Sequence, residues 1–486
     1  MFPEQSAIES EVGALRARRA PKYFRLVSEE ETGTPIYEQL YQRVRQLILS
    51  GGLSYGARLA SSRSLAASLG VSRNSVLAAL DRLTSDGLLE ARKGSGVYVA
   101  YQGRHSAPPN RSSAILGSNE LTPFALGVPS VEIFPTRLWE RLQSRRWKSI
   151  SPHALHEGEP VGWLGLREAI AANVAMTRGL QCSPAQIIVT SCIAAGLDLA
   201  VRSLELTGMS VWMEDPGYNA AARSFQYAGV RTIPVPVGKS GIDVEAGREL
   251  APLAKAVYVT PACQFPTNVL MSKSRRRALL AWAEESDSWI LEDDFDWYTV
   301  DPGAQLRPLA AAPESRAIYF NTFNHLLFPS LRIAYLIVPT ALVDTFARVQ
   351  HGLHGSANIP NQMVLADFIA QGHLDAHMQR LKAVREPRRA ALVLALETQL
   401  SDYLDLNRDA AGSHIVCSLK RHSVPQLLAG CASQNIFVEP MTKYQLGGGS
   451  SDQILLGYPG FSQKALAEAV TKLRKVFASL DSDSPS

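Results

Sequence analysis

The sequence predicts a multidomain protein in two parts. A winged helix-turn-helix of α+β type comes first, followed by a large α/β domain with a smaller α+β unit at its C-terminal end. Three observations predict this. The chain has 486 residues, more than one hydrophobic core ordinarily serves. Between residues 34 and 100 a helix–helix–helix–hairpin pattern coincides with eight Arg or Lys against four acids, a surplus equal to the net charge of +4 of the whole chain. Beyond Phe124 short apolar runs alternate with helical segments, the pattern of a sheet covered on both faces.

Composition excludes several classes. Hydrophobic residues at 46% describe a globular chain able to bury large cores. No run of eighteen apolar residues predicts a membrane span, and the opening Met1-Phe-Pro-Glu-Gln-Ser lacks the basic-then-apolar layout of a signal peptide. Five cysteines, at 182, 192, 263, 417 and 431, have no paired spacing, which argues against a disulfide framework or a zinc module. A cytoplasmic, reducing location is the expectation. A basic module on a nearly neutral body is the electrostatic footprint of nucleic-acid binding, although a solvated basic surface gives the same count.

Taken in order, residues 1–33 are an arm of unknown purpose, with Arg16, Arg18 and Arg19 and then Glu29, Glu30 and Glu31. The first domain spans 34–100. Ile36, Leu40, Val44, Leu47 and Ile48 follow helical spacing up to Gly51-Gly52. A second short helix runs from about Ser61 to Leu69, and Gly70-Val71-Ser72 turns into a third, which Ser72 caps. Val76, Leu80 and Leu83 form the buried stripe of that third helix, leaving Arg73, Asn74, Ser75 and Leu77 facing outward. Two short strands, Leu88–Ala91 and Val97–Val99, joined by Arg92-Lys-Gly-Ser-Gly96, make the wing. The start of such a third helix reaches base edges in the major groove, and an arginine there can bond guanine in a bidentate manner. Arg63, and Lys93 beside slim glycines, suit phosphate or minor-groove contact.

Residues 101–117 have a linker's composition. Stretched out they reach roughly 55–60 Å, against the ~34 Å between half-sites one helical turn apart. The large domain is expected over 118–480, its large part about 124–360 and its small unit about 361–480. Gln186–Thr190, Ser210–Met213, Ala256–Val259, Trp289–Leu291 and Ile318–Phe320 read as strands of a mostly parallel sheet. Helices such as those around Gly165 and Ser274 lie between them. The small unit includes the segments Asn435–Pro440 and Ile454–Tyr458.

Two family resemblances follow from these residues. Pro35-Ile-Tyr-Glu-Gln-Leu, Leu59-Ala-Ser-Ser-Arg-Ser-Leu-Ala, Gly70-Val-Ser-Arg-Asn-Ser-Val and Gly94-Ser-Gly resemble the GntR-type winged helix. The resemblance implies contacts to double-stranded operator DNA at Arg63, Ser72, Arg73, Asn74, Ser75, Leu77, Lys93 and Gly94, with Leu77 apolar where some relatives carry a polar or basic side chain. Glu214-Asp-Pro-Gly-Tyr218, Thr260-Pro-Ala-Cys-Gln-Phe-Pro-Thr267, Glu292-Asp-Asp-Phe-Asp296 and the segment Ala317–Tyr335 resemble the fold-type I aminotransferase domain. The order of the two domains resembles the MocR subfamily of GntR regulators, in which the large domain forms head-to-tail homodimers.

That resemblance implies a pyridoxal phosphate (PLP) pocket and also shows what this chain has lost from it. Asp293 matches the partner of the pyridine nitrogen, Tyr218 the aromatic stacked on the ring, and Arg332 a basic residue on the phosphate side. His325 stands where a lysine forms an imine with PLP, which imidazole cannot do, and no lysine lies between Lys273 and Lys382. Phe295 replaces the tyrosine that bonds O3′, Cys192-Ile-Ala replaces Gly-Ala-Gln at the phosphate turn, Asn268 replaces a glycine, and Leu455 an arginine for the substrate carboxylate. An inactive domain is expected, with any PLP held without a covalent bond. Asp293, Tyr218 and Arg332 also admit purely structural roles. His325 reads either as a titratable ligand group or as a satisfied loop residue. The function expected is therefore a DNA-binding transcription regulator whose large domain dimerises and senses a small-molecule effector. A purely structural dimerisation domain is the alternative, and a working aminotransferase would need lysine at 325.

Overall fold

The computed structural model describes residues 34–483 except 50–52, 93, 102–121, 157, 354, 356–357, 408–410 and 435. The N-terminal arm, the turn at Gly51-Gly52, Lys93 and nearly all of the linker lie outside the described residues. Two compact units flank residues 102–121.

In the first unit α1 (Ile36–Leu49), α2 (Ser62–Leu69) and α3 (Arg73–Ser85) precede a hairpin of β1 (Leu89–Arg92) and β2 (Gly96–Val99). Leu40, Val44 and Ile48 of α1 meet Val76, Leu80 and Leu83 of α3 in a core closed by Leu65, Leu89 and Val99. Gly70 ends α2 at φ +68°, a left-handed conformation that glycine adopts without strain, and its N–H bonds Ala66 O. The wing holds more than the two strands read from the sequence. Residues 57–59 run beside β2, with Leu59 N donating to Val97 O and Val99 N to Ala57 O, both at 2.9 Å. This brings Arg58 to the wing.

The second unit is built on an eight-stranded sheet in the order β3-β10-β9-β8-β7-β4-β5-β6. Its strands are β3 (Ile187–Thr190), β4 (Ser210–Asp215), β5 (Arg231–Gly238), β6 (Gly241–Ile242), β7 (Ala256–Val259), β8 (Trp289–Asp293), β9 (Ala317–Thr322) and β10 (Ala334–Ile337). From β9 through β8, β7 and β4 to β5 every neighbouring pair is parallel, while β10 runs antiparallel to both β9 and β3. The five strands read from the sequence are present. β5 escaped that reading because it carries Pro234 and Pro236, which it tolerates beside only the two-residue β6. Helices α4 (Thr136–Ser149), α5 (Leu164–Arg178) and α6 (Ile193–Ser203) come before β4, and α7 (Ile359–Ala370) and α8 (His373–Leu400) follow β10.

A four-stranded antiparallel sheet, β11 (Leu404–Leu406), β12 (His414–Leu419), β14 (Gln453–Gly457) and β13 (Glu439–Pro440) in spatial order, forms the smaller part. Two details refine its extent. α7 packs its apolar residues into the core beneath the large sheet, and α8 joins both cores, with Leu374 and Leu381 in one and Leu392, Leu396 and Leu400 in the other. Phe124 bridges Gly457 and is wholly buried in the smaller core. No helix among the described residues is long and apolar enough to cross a membrane.

Candidate functional site

In the first unit the start of α3 presents the residues expected to read DNA. Ser72 caps the helix, its Oγ accepting from Ser75 N at 3.0 Å, and Arg73 and Asn74 stand exposed beyond it. Ser75 is half-buried rather than outward-facing, and its hydroxyl lies 2.9 Å from that of Ser72. Arg73 Nε donates to Ser62 Oγ at 3.4 Å, which ties the start of α3 to the start of α2, where Arg63 is exposed. Leu77 is 37% exposed on the same helix. Gly94 turns the wing at φ +77° with open space where a Cβ would stand. Not every cation is available. Arg92 pairs with Glu90 and lies 4.6 Å over the Tyr98 ring, and Arg82 is tied to Glu38 and lies 4.2 Å over Tyr41. Arg58, which the motif reading passed over, is exposed and rests its guanidinium against Gly96.

In the second unit the C-terminal ends of β4 and β8 deliver the carboxylates Glu214 and Asp293 to one buried floor, and β7 brings the Tyr258 hydroxyl to it. Asp293 is 2% exposed, and its Oδ2 accepts from Tyr258 Oη at 2.6 Å. Its Oδ1 is buried with no partner among the described residues. Glu214 accepts from Thr260 N, Thr260 Oγ1 and Gln264 Nε2 on Oε2, while Oε1 is likewise buried and partnerless. Burial pushes both carboxyls up to about 7, Asp293 further under the charge of Asp294 and Glu214 under that of Asp293, and hydrogen bonds to each oppose the rise. Asp294 is different. Arg178 holds it at 2.7 and 3.2 Å and Tyr319 at 2.8 Å, a buried structural ion pair.

Above that floor stands an aromatic wall. Tyr218 meets Phe265 edge-on at 5.7 Å, Phe265 meets Phe295 at 6.2 Å, and Phe295 meets His325 at 5.9 Å with the planes 60° apart. Burial raises the Tyr218 phenol, helped by Asp293 and Cys192 and opposed by Arg223, so Tyr218 feels both the floor and the turn at Cys192. Cys192 is the N-cap of α6, whose first N–H groups point out of the helix start. Arg332, in a left-handed conformation at φ +55°, reaches to 3.6 Å from Cys192 Sγ. Asn268 takes a glycine-like φ of +61°, and its amide bonds His414 O at 3.0 Å. Leu455 is wholly buried among Val416, Met441 and Tyr444, so an apolar cluster occupies the side where an arginine was expected from the resemblance. Tyr218, Asp293, Phe295, His325 and Arg332 are thus linked through one chain of contacts.

PLP, the cofactor the resemblance implies, fits one half of this pocket and not the other. The partnerless Oδ1 of Asp293 suits a protonated ring nitrogen, the wall around Tyr218 a flat ring, and the start of α6 with Arg332 an anion. At the far end His325 has no primary amine for an imine and Phe295 no hydroxyl to bond O3′.

Comparison with known proteins agrees with this two-unit architecture. The model for bacterial regulatory proteins, gntR family, matches residues 36–99, and that for aminotransferase class I and II matches residues 143–473. The probable rhizopine catabolism regulatory protein MocR of Rhizobium meliloti is 32% identical, over 94% of this chain and 97% of its own. The pyridoxine biosynthesis transcriptional regulator PdxR of Corynebacterium glutamicum is 31% identical, over 89% and 94%. Among solved structures, the α-aminoadipate aminotransferase LysN of Thermus thermophilus aligns at TM-score 0.66 and 24% identity over 74% of this chain and 92% of its own. An archaeal alanine:glyoxylate aminotransferase aligns at TM-score 0.68 and 22% identity over 76% and 93%. These two share the fold.

Proposed function

The chain belongs to the MocR-type regulators of the gntR family, DNA-binding transcription regulators with an aminotransferase-like domain, and on that premise we propose how its two units divide the work. The first unit binds double-stranded operator DNA through Arg73 and Asn74 at the start of α3, with Arg63 and the Lys93–Gly94 wing on phosphates. Ser72 and Ser75 hold the helix start and offer hydroxyls to the backbone, and Leu77 contributes an apolar contact. The second unit forms a homodimer and holds a small-molecule effector in the pocket around Asp293, in the cytoplasm. It does not catalyse transamination.

The observation that carries the effector reading is the buried, partnerless Oδ1 of Asp293. A purely structural dimerisation domain has no use for it, and an unmet buried acceptor costs about 1–3 kcal/mol. Inactivity rests on His325, read as the residue at the lysine position. Purified protein incubated with PLP and a panel of L-amino acids should release no more keto acid than PLP alone, and excess keto acid would reinstate the enzyme. In a mobility-shift titration on its operator, Arg73→Ala should weaken specific binding by about 1–3 kcal/mol. Unchanged affinity would remove Arg73 from base reading.

A further inference from the structure

We propose that the pocket of the large unit selects a phosphorylated 3-hydroxypyridine that already bears an amine on its 4′ carbon, the class of pyridoxamine phosphate, over the free 4′-aldehyde. The inference deepens the effector reading above and rests on it.

The two ligands share most of their contacts. Each offers a ring nitrogen to Asp293 Oδ1 and a phosphate to the start of α6 and Arg332, so neither end tells them apart. Discrimination falls to the 4′ substituent, which the fold resemblance sets beside residues 295 and 325. There this chain has an aromatic corner. Phe295 and His325 face one another at 5.9 Å, with Phe265 extending the wall at 6.2 Å from Phe295. Among the described residues neither ring nitrogen of His325 has a hydrogen-bond partner. A 4′-ammonium supplies what the corner lacks, N–H donors for the imidazole and a positive charge for the ring faces. An aldehyde brings neither charge nor donor.

An aldehyde ordinarily gains by condensing with a lysine, and that gain is missing. Position 325 has no amine, and residues 274–381 contain no lysine. Lys443, whose backbone carbonyl accepts from Asn219 next to Tyr218, pairs its ammonium with Glu439.

The test titrates the full-length protein calorimetrically with pyridoxamine phosphate and with PLP, then treats the PLP complex with borohydride and measures intact mass. Pyridoxamine phosphate should bind at least about tenfold more tightly, and the mass should not rise. His325→Lys should reverse the order, because the new amine condenses with the aldehyde and releases water, leaving a borohydride-stable mass gain at 325. Asp293→Asn should weaken pyridoxamine phosphate without that chemistry, which keeps the proposal testable if the lysine variant does not fold. Equal or tighter binding of PLP to the unaltered protein, or an adduct on Lys443, overturns the selectivity while leaving an effector pocket in place. Failure of both ligands to bind the unaltered protein and a folded His325→Lys variant overturns the effector reading for this ligand class, and the selectivity with it.

Discussion

Asp293 carries a prediction at the scale of a single side chain. Burial raises Asp293, Glu214 and Glu292 to about 7, whereas in the unfolded chain such groups titrate near ~4. Between these values the folded protein keeps protons that the unfolded chain has released. Stability therefore falls as the pH rises from about 4 to about 7, and levels off above that. Melting temperatures across that range should show the decline, and Asp293→Asn should flatten part of it. An unchanged slope in the variant would mean that Asp293 is ionised throughout. Residue types at these positions were legible in the sequence, and so was the cap at Ser72, because a cap acts over three residues. Pairings over long separations were not. Tyr258 meets Asp293 from 35 residues away and Arg332 meets Cys192 from 140, and no local pattern records such distances. Arg58 was missed for a similar reason, since its place in the wing depends on a bridge to Tyr98.

Among the elements, α8 has the most to hold. Its 28 residues begin in the core beneath the large sheet and end in that of the smaller part, with Pro387 inside the helix. Leu396 is wholly buried in the smaller core, and Leu396→Ala should destabilise the second unit by about 2–5 kcal/mol in a denaturant titration. A cost under ~1 kcal/mol would show that the surroundings collapse to fill the space. Elements buried on both faces were read readily, because β3, β4, β7, β8 and β9 are short apolar runs. β10 was harder to see, since its residues are the tail of the segment containing His325 and reverse direction against β9. The inclusion of Phe124 in the smaller core was invisible, as its partner Gly457 lies 333 residues away.

For the whole molecule, the basic module makes oligomeric state and salt dependence the measurable quantities. Full-length protein should sediment as two chains, and log affinity for operator should fall linearly with log salt. Arg63→Ala should lower that slope by about 1 if Arg63 contacts a phosphate. A slope unchanged by the substitution would take Arg63 off the DNA. The architecture also has a consequence for how such chains are assembled over time. Among the described residues, each buried member of the winged-helix core comes from residues 40–99. A recombination event that exchanged the first hundred residues would replace that core whole and leave the cores of the second unit intact. No such cut exists within the second unit. There α8 is rooted in both cores and the chain that opens the unit closes the smaller one at Phe124, so that unit can only be inherited whole.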